Sequence, residues 1–166
     1  MSIKKRLSLK EAEKIFHKYF RRIKDAKSRE YHTHHVISMS EMALLLAKGK
    51  RVDKTILRVA AFVHDIGYSI EKKDHAAHSL EILHREGYAV SEKLKDCILN
   101  HGSSYYPKTE EGKIFQLADK MDIFNPYVVR VILKYSRSKV SAEDLTYLKS
   151  MPDYATMLLK KYSVAR

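Results

Sequence analysis

The feature that most limits what this chain can fold into is the period of its apolar residues. Ile15, Tyr19 and Ile23, with Phe16 and Phe20 beside them, recur at helical spacing. So do Val36, Met39, Ala43, Leu46 and Ala47, then Ile56, Val59, Ala60 and Val63, then Ile114, Leu117, Ala118 and Met121. Steps of three and four gather side chains on one face of an α-helix. No stretch alternates apolar and polar residues for a useful strand length. Only 5 Gly and 3 Pro interrupt 166 residues, so the helices can run. The expectation is an all-α fold, a single compact helical domain over residues 1–166 with short connections. No internal repeat or low-complexity linker divides it.

Punctuation sets the expected boundaries. Ser8-Leu9-Lys10-Glu11 is a capping-box pattern and opens a helix from about Leu9 to Asp25. A second helix spans about His32 to Lys48, with Gly49 past its end. Asp53 caps a third, which Gly67 stops. Asp74 caps a fourth, to Arg85, closed by Gly87. Ser91 caps a fifth, through Leu94, Ile98 and His101. A polar loop from Gly102 to Gly112 precedes a sixth helix that ends near Pro126. Further helix covers Val128–Tyr135, Ala142–Lys149 and, after Pro152, Asp153–Tyr162.

The net charge is +12, and its distribution says more than its size. Residues 1–31 carry 11 basic and 4 acidic side chains, and residues 127–166 carry 8 and 3. The middle is balanced. Basic ends attract phosphate-bearing partners: nucleotides, nucleic acid or a membrane face. No apolar run reaches the roughly 18 residues of a membrane span, and Met1 to Lys14 has no apolar segment of the kind a signal peptide needs. The single Cys97 excludes an intrachain disulfide and fits a reducing, cytoplasmic setting. It reads as a small core hydrophobe.

Nine histidines are many for this length. His17 reads as exposed, and His84 suits a helix C-terminus. In "AAFVHDIGY", by contrast, His64 and Asp65 interrupt a core stretch three to four residues past Ala60 and Ala61. An interior imidazole and carboxylate require partners, because burying polar groups unpaired is costly. Hydrogen bonds would serve each, and one metal ion would serve both. His35 begins the apolar face of Met39, Ala43 and Ala47. Asp119 follows Leu117-Ala118 in "FQLADKMDIF", and His75 and His101 lie between these points. Imidazole with carboxylate suits manganese, iron or zinc better than a thiol site would. His32 and His34 read as exposed neighbours of His35.

The order His35, His64-Asp65, Asp119, in the contexts "HVISMSEMALLLA", "AAFVHDIGY" and "LADKMDIF", resembles the signature of the HD-domain metal-dependent phosphohydrolase superfamily. The match spans about residues 31–126, leaving 1–30 and 127–166 as basic flanking helices. The resemblance implies one or two divalent cations (manganese, iron, cobalt, nickel, zinc or magnesium) held between helices by His35, His64, Asp65 and Asp119. Asp65, the key catalytic residue, would bridge where two are bound. Some members add two histidines between the His-Asp pair and the last Asp, which places His75 and His101 as further ligands. His78, one turn from His75, is the rival. His75 ranks first because His75-x-x-x-Ser79 matches the family spacing.

The departures are specific. Tyr68 stands where many members have Lys, and where others have Glu three residues after the motif's Asp. The usual acid behind the ligands is then not assigned by the motif, and Glu71, Glu81 and Asp122 are the candidates. Lys120, Lys108 and Tyr68 are candidate substrate contacts, and the Tyr105-Tyr106 pair is either a stacking surface or a loop anchor. The function implied is a metal-dependent phosphomonoesterase or phosphodiesterase acting on a small phosphorylated substrate, foremost a nucleotide. Two other readings stand beside it. One is a basic nucleotide- or nucleic-acid-binding helical domain whose metal site is structural. The other is a helical interaction domain without metal.

Overall fold

The computed structural model describes residues 5–136 and 140–162. Among them are eight α-helices: α1 (Leu9–Phe20), α2 (Ala26–Leu46), α3 (Lys54–Val63), α4 (His75–Arg85), α5 (Glu92–Leu99), α6 (Glu110–Met121), α7 (Pro126–Tyr135) and α8 (Ala142–Tyr162). Short 3-10 turns at Ile66–Ser69 and Asp122–Phe124 follow α3 and α6. The all-α expectation holds. One pair of two-residue strands, β1 (Lys5–Arg6) and β2 (Tyr88–Ala89), runs parallel and ties the chain's start to the turn after α4. Two residues are too short to leave an alternating pattern.

The core is built around α3, whose Leu57, Val59, Ala60, Ala61 and Val63 are all buried. Helices α1, α2 and α5 pack around it. Ile15, Phe16, Tyr19 and Phe20 bury the apolar face of α1. Burying a side chain of this kind contributes about 1.5–3 kcal/mol. Helix α6 lies between α2, α5 and α8. Its buried Gln116 donates to the carbonyls of Asn100, Gly102 and Tyr105, and its oxygen accepts from the Tyr162 hydroxyl of α8. That side chain fixes the turn that carries His101. The Tyr105 and Tyr106 rings are exposed, whereas the Tyr105 carbonyl is a loop anchor.

Several boundaries differ from expectation, each for a local reason. Helix α1 stops at Phe20 because Asp25 is used elsewhere: its carboxylate accepts from Ser28 N at 2.6 Å and caps α2. Helix α2 therefore starts at Ala26 and carries His32 in its body. Asp74 caps nothing with its side chain and sits in the left-handed region, φ 57. Helix α5 ends at Leu99, so His101 lies past it. Helix α6 starts earlier than expected, at Glu110, capped by Thr109. The buried Asp96 carboxylate gathers the amides of Lys108 and Thr109 in the preceding loop. Pro152 does not divide α8, which runs through it. A proline removes one backbone donor, and the helix is anchored on both sides of it, by Tyr147 before and by buried Ala155 and Leu158 after.

Gly67 explains how α4 reaches the His64-Asp65 turn. A Cβ there would stand 1.9 Å from the His75 carbonyl oxygen and 2.8 Å from Ser79 N. The buried Ser79 hydroxyl accepts from Gly67 N at 2.9 Å and donates to the His64 carbonyl at 2.6 Å. The missing side chain thus lets the start of α4 close on the turn and bring His75 to Asp65. Gly67→Ala is expected to cost about 3 kcal/mol, the upper end for overpacking, read from urea denaturation of the two proteins. A loss under about 0.5 kcal/mol, the level of a neutral surface change, would show that the close approach is not needed.

Candidate metal centre

Asp65 is buried where α3 ends, and its two oxygens face different helices. Oδ2 lies 3.3 Å from His64 Nε2, 3.4 Å from His32 Nδ1 and 4.0 Å from His35 Nε2. Oδ1 lies 3.2 Å from His75 Nε2 and 3.6 Å from His101 Nε2. Asp119 Oδ1, from α6, is 3.3 Å from His35 Nε2. The closest imidazole pairs are His35–His64, with Nε2 atoms 3.3 Å apart, and His75–His101, 3.1 Å apart. One carboxylate therefore joins two subsites. His35, His64 and Asp119 form one; His75 and His101 form the other.

Which ring nitrogens carry protons follows from their outer partners. His64 Nδ1 faces the Ala61 carbonyl at 3.1 Å, His75 Nδ1 the Lys72 carbonyl at 3.0 Å, and His101 Nδ1 the Ile98 carbonyl at 2.7 Å. Carbonyls only accept, so each Nδ1 donates. His35 Nδ1 donates to the buried Asp122 carboxylate at 2.7 Å, and Asp122 also accepts from Ser38. In their neutral forms all four rings then turn a bare Nε2 lone pair inward. Lone pairs 3.1–3.3 Å apart, among carboxylate oxygens, share no proton. Donor atoms about 2.1 Å from a common cation stand about 3 Å from one another, so these separations suit one. An outer hydrogen bond on the far ring nitrogen is how metal-binding imidazoles are held. Asp65 Oδ1 and His32 Nδ1 are also buried without a hydrogen bond. The residues present fit divalent cations.

The charges are set by this crowding. Burial opposes ionisation of Asp65, but the imidazoles of His64, His32 and His75 hold its carboxyl well below the usual carboxylate range. Burial likewise opposes Asp119, and Lys120 and His35 overcome it. For His35, burial disfavours the charged ring, yet Asp122 and Asp119 raise its pKa well above 6.5. His75 is raised, with Asp65 outweighing burial. His101 goes down to about 4, through burial and the His64 ring. His32 also falls, burial prevailing over Asp65.

His35, His64, Asp65, Asp119, His75 and His101 thus come together from five parts of the fold. His32 was expected to be an exposed neighbour and is not: it is buried beside Asp65 and 5.0 Å, ring to ring, from Phe20. The signal was available, since His32 and His35 are three apart and share a helix face. His34 does turn away, stacked on Tyr127 at 5.0 Å. His78 points outward and pairs with Glu81 at 3.1 Å. Of the three acids considered, Asp122 stands behind a ring, whereas Glu71 and Glu81 are exposed. Lys120 pairs with Asp119 at the centre. Lys108 is exposed, with only its amide engaged by Asp96. Tyr68 stacks on His75 at 4.2 Å and tilts against His32 at 4.8 Å. Cys97 is buried, and burial raises its thiol pKa.

Comparison with known proteins agrees with this architecture. The family profile described as the HD domain matches residues 32–123. A deoxyguanosinetriphosphate triphosphohydrolase-like protein of Caldanaerobacter subterraneus subsp. tengcongensis is 23% identical over 110 residues, covering 55% of this chain and 32% of that protein. Ribonuclease Y of Desulforudis audaxviator is 25% identical over 113 residues, 67% of this chain and 22% of that protein. The matched region is thus a third or less of these curated relatives. A solved structure, a predicted HD superfamily hydrolase from an uncultured Thermotogales bacterium, superposes with a TM-score of 0.59 over 93% of this chain and 90% of that one, at 20% identity. It shares the fold. No helix among the described residues is long and apolar enough to cross a membrane.

The imidazole contribution to the stability of the metal-free protein is expected to be greatest near pH 6.5, their unfolded pKa. His35 and His75 have raised folded pKa values, so their contribution is complete below pH 6.5 and lost as pH rises through those values. His32 and His101 are lowered, so theirs is present above pH 6.5 and lost as pH falls toward about 4. Each fully titrating ring changes stability by about 1.4 kcal/mol per pH unit. Divalent cations, which bind neutral imidazole, should remove the alkaline decline. Thermal melts of chelated and manganese-loaded protein from pH 5 to 9 test this; identical profiles would contradict it.

Proposed function

The chain belongs to the HD-domain family, and from that premise we propose that it is a metal-dependent phosphohydrolase that cleaves a phosphate ester of a nucleotide or related phosphorylated metabolite. The observation that carries the reading is the set of four inward-facing Nε2 atoms around the shared carboxylate of Asp65. His35, His64, Asp65 and Asp119 would hold one divalent cation. His75, His101 and the other oxygen of Asp65 would hold a second. Cations bound there supply Lewis acidity toward a phosphoryl oxygen and make water a nucleophile near neutral pH.

The chain's own groups do the rest. Asp122 and the three carbonyls hold the rings in one tautomer and one orientation, so the donors need no rearrangement when the site fills. Asp65, Asp119 and Asp122 bring three carboxylates to the centre, where Lys120 pairs with Asp119. That excess of negative charge favours divalent cations first and, once they are bound, a phosphoryl dianion. No buried thiolate competes as nucleophile, because Cys97 lies in the apolar core. Relatives named as a triphosphohydrolase and a ribonuclease support a phosphoryl substrate.

A second reading is favoured by one surface. Lys14, His17, Lys18 and Arg21 line a shallow basic depression on α1, which suits a nucleic acid backbone with the metal centre as a structural part. Steeply salt-dependent binding of nucleic acid without turnover would favour it.

Asp65→Ala should remove metal from both subsites and lower hydrolysis of every phosphate ester by about a thousandfold or more, since the loss of one preorganised charge-stabilising group alone costs about 100- to 1,000-fold. Metal content by elemental analysis and a panel of phosphate substrates with manganese, iron, cobalt, nickel and magnesium provide the measurement. Undiminished activity in the variant would remove the proposal.

A further inference from the structure

A cleft of about 560 Å³ opens beside the metal centre and is shared by segments on both sides of the family match. It reaches the centre at His32 and Tyr68. Its other aromatic walls are Tyr31 of α2 and Tyr147 of α8, whose hydroxyls are 3.0 Å apart. Tyr31 lies parallel to the His35 ring at 5.5 Å, and Tyr68 lies on His75. Their ring faces are largely engaged. Tyr147 differs: among the described residues its ring neighbour is Tyr31, met edge-on at 86°.

The charge of the cleft is the second observation. Its ionic residues are Lys27, Lys72, Asp25 and Glu143, two of each sign. Lys72 is already paired with Glu143 across the rim. The basic ends of the chain do reach the cleft, yet from α8 they bring a carboxylate and a tyrosine rather than a cluster of lysines. The hydroxyls of Tyr31, Tyr68 and Tyr147 are ordinary phenols, neutral donors near pH 7. A triphosphate tail carries about four negative charges and is held elsewhere by several cations. Here the surplus positive charge would sit only at the filled metal centre, which suits one phosphoryl group.

We infer that this cleft selects a nucleoside monophosphate, with the single phosphate at the metal centre and the base against Tyr147, and that it discriminates against di- and triphosphates and nucleic acid strands. Tyr147 is thus a specificity residue supplied from beyond the family match. In the reaction, water oxygen bonds to phosphorus and the phosphorus–oxygen bond to the nucleoside breaks. The nucleoside leaves as an alcohol, carrying one of the water's protons, and inorganic phosphate remains. The inference rests on the phosphohydrolase reading, and its test separates the two.

The experiment measures calorimetric binding and turnover on manganese-loaded full-length protein. The probes are adenosine and guanosine mono-, di- and triphosphates, ribose 5-phosphate and a short oligoribonucleotide. The monophosphates should bind, and turn over by kcat/KM, at least about tenfold better than any other probe. Tyr147→Ala should raise their Kd and KM about tenfold with metal content unchanged, and Tyr147→Phe, which keeps the ring, should restore both to within about threefold. Triphosphate or oligoribonucleotide binding as tight as monophosphate binding overturns the inference. So does an unchanged Kd in Tyr147→Ala. Selective monophosphate binding without turnover of any probe supports the cleft assignment and removes the phosphohydrolase reading instead.

Discussion

The rest of the structure depends on one buried carboxylate. Asp65 is 6% exposed at the end of a core helix, where an isolated ionised acid costs several kcal/mol. The chain meets that cost by arranging imidazoles on both of its oxygens. Helix α2 supplies His32 and His35, the end of α3 supplies His64, α4 supplies His75, and the turn after α5 supplies His101. Helix α6 adds Asp119. Four helices and one turn therefore have their relative positions fixed around a polar centre as well as an apolar core. A centre of this composition is incomplete as a hydrogen-bonded cluster, because its acceptors outnumber its protons. Divalent cations would complete it.

A second layer makes the first one specific. Each of the four rings is tied through Nδ1 to a carbonyl or to Asp122. The outer layer is almost entirely backbone, so mutation cannot readily remove it, and it lends the centre the rigidity of the helices themselves. Outside that layer lie tyrosines. Tyr31 and Tyr68 cover His35 and His75 and line the cleft where it meets the charged centre. Tyr68 places a neutral ring directly on His75.

Much of the fold and part of the centre were legible in the sequence, because the relevant signals are local. Helical periodicity marked seven of the eight helices as units, and Ser8, Asp53 and Ser91 cap the helices they were read to cap. What failed were the places where one residue had two uses available. Asp25 could extend α1 or cap α2, and the hydrogen bond to Ser28 N decides for α2. Pro152 could end a helix, but burial of Ala155 and Leu158 beyond it outweighs one lost donor. His32 lay one turn from His35 on a helix read as starting there, and a shifted start concealed it.

The sequence by itself determined the all-α fold and the family, because apolar period and motif spacing are properties of short stretches. It also named six residues that the fold draws to one centre. Only the tertiary structure decided that His32 joins them, that His75 and not His78 faces Asp65, and that Asp122 rather than Glu71 or Glu81 stands behind His35. Those outcomes depend on where helices far apart in the chain meet. The approach of α4 to Gly67, the packing of α6 on α2 and the return of α8 over the cleft are long-range contacts. No local pattern encodes them.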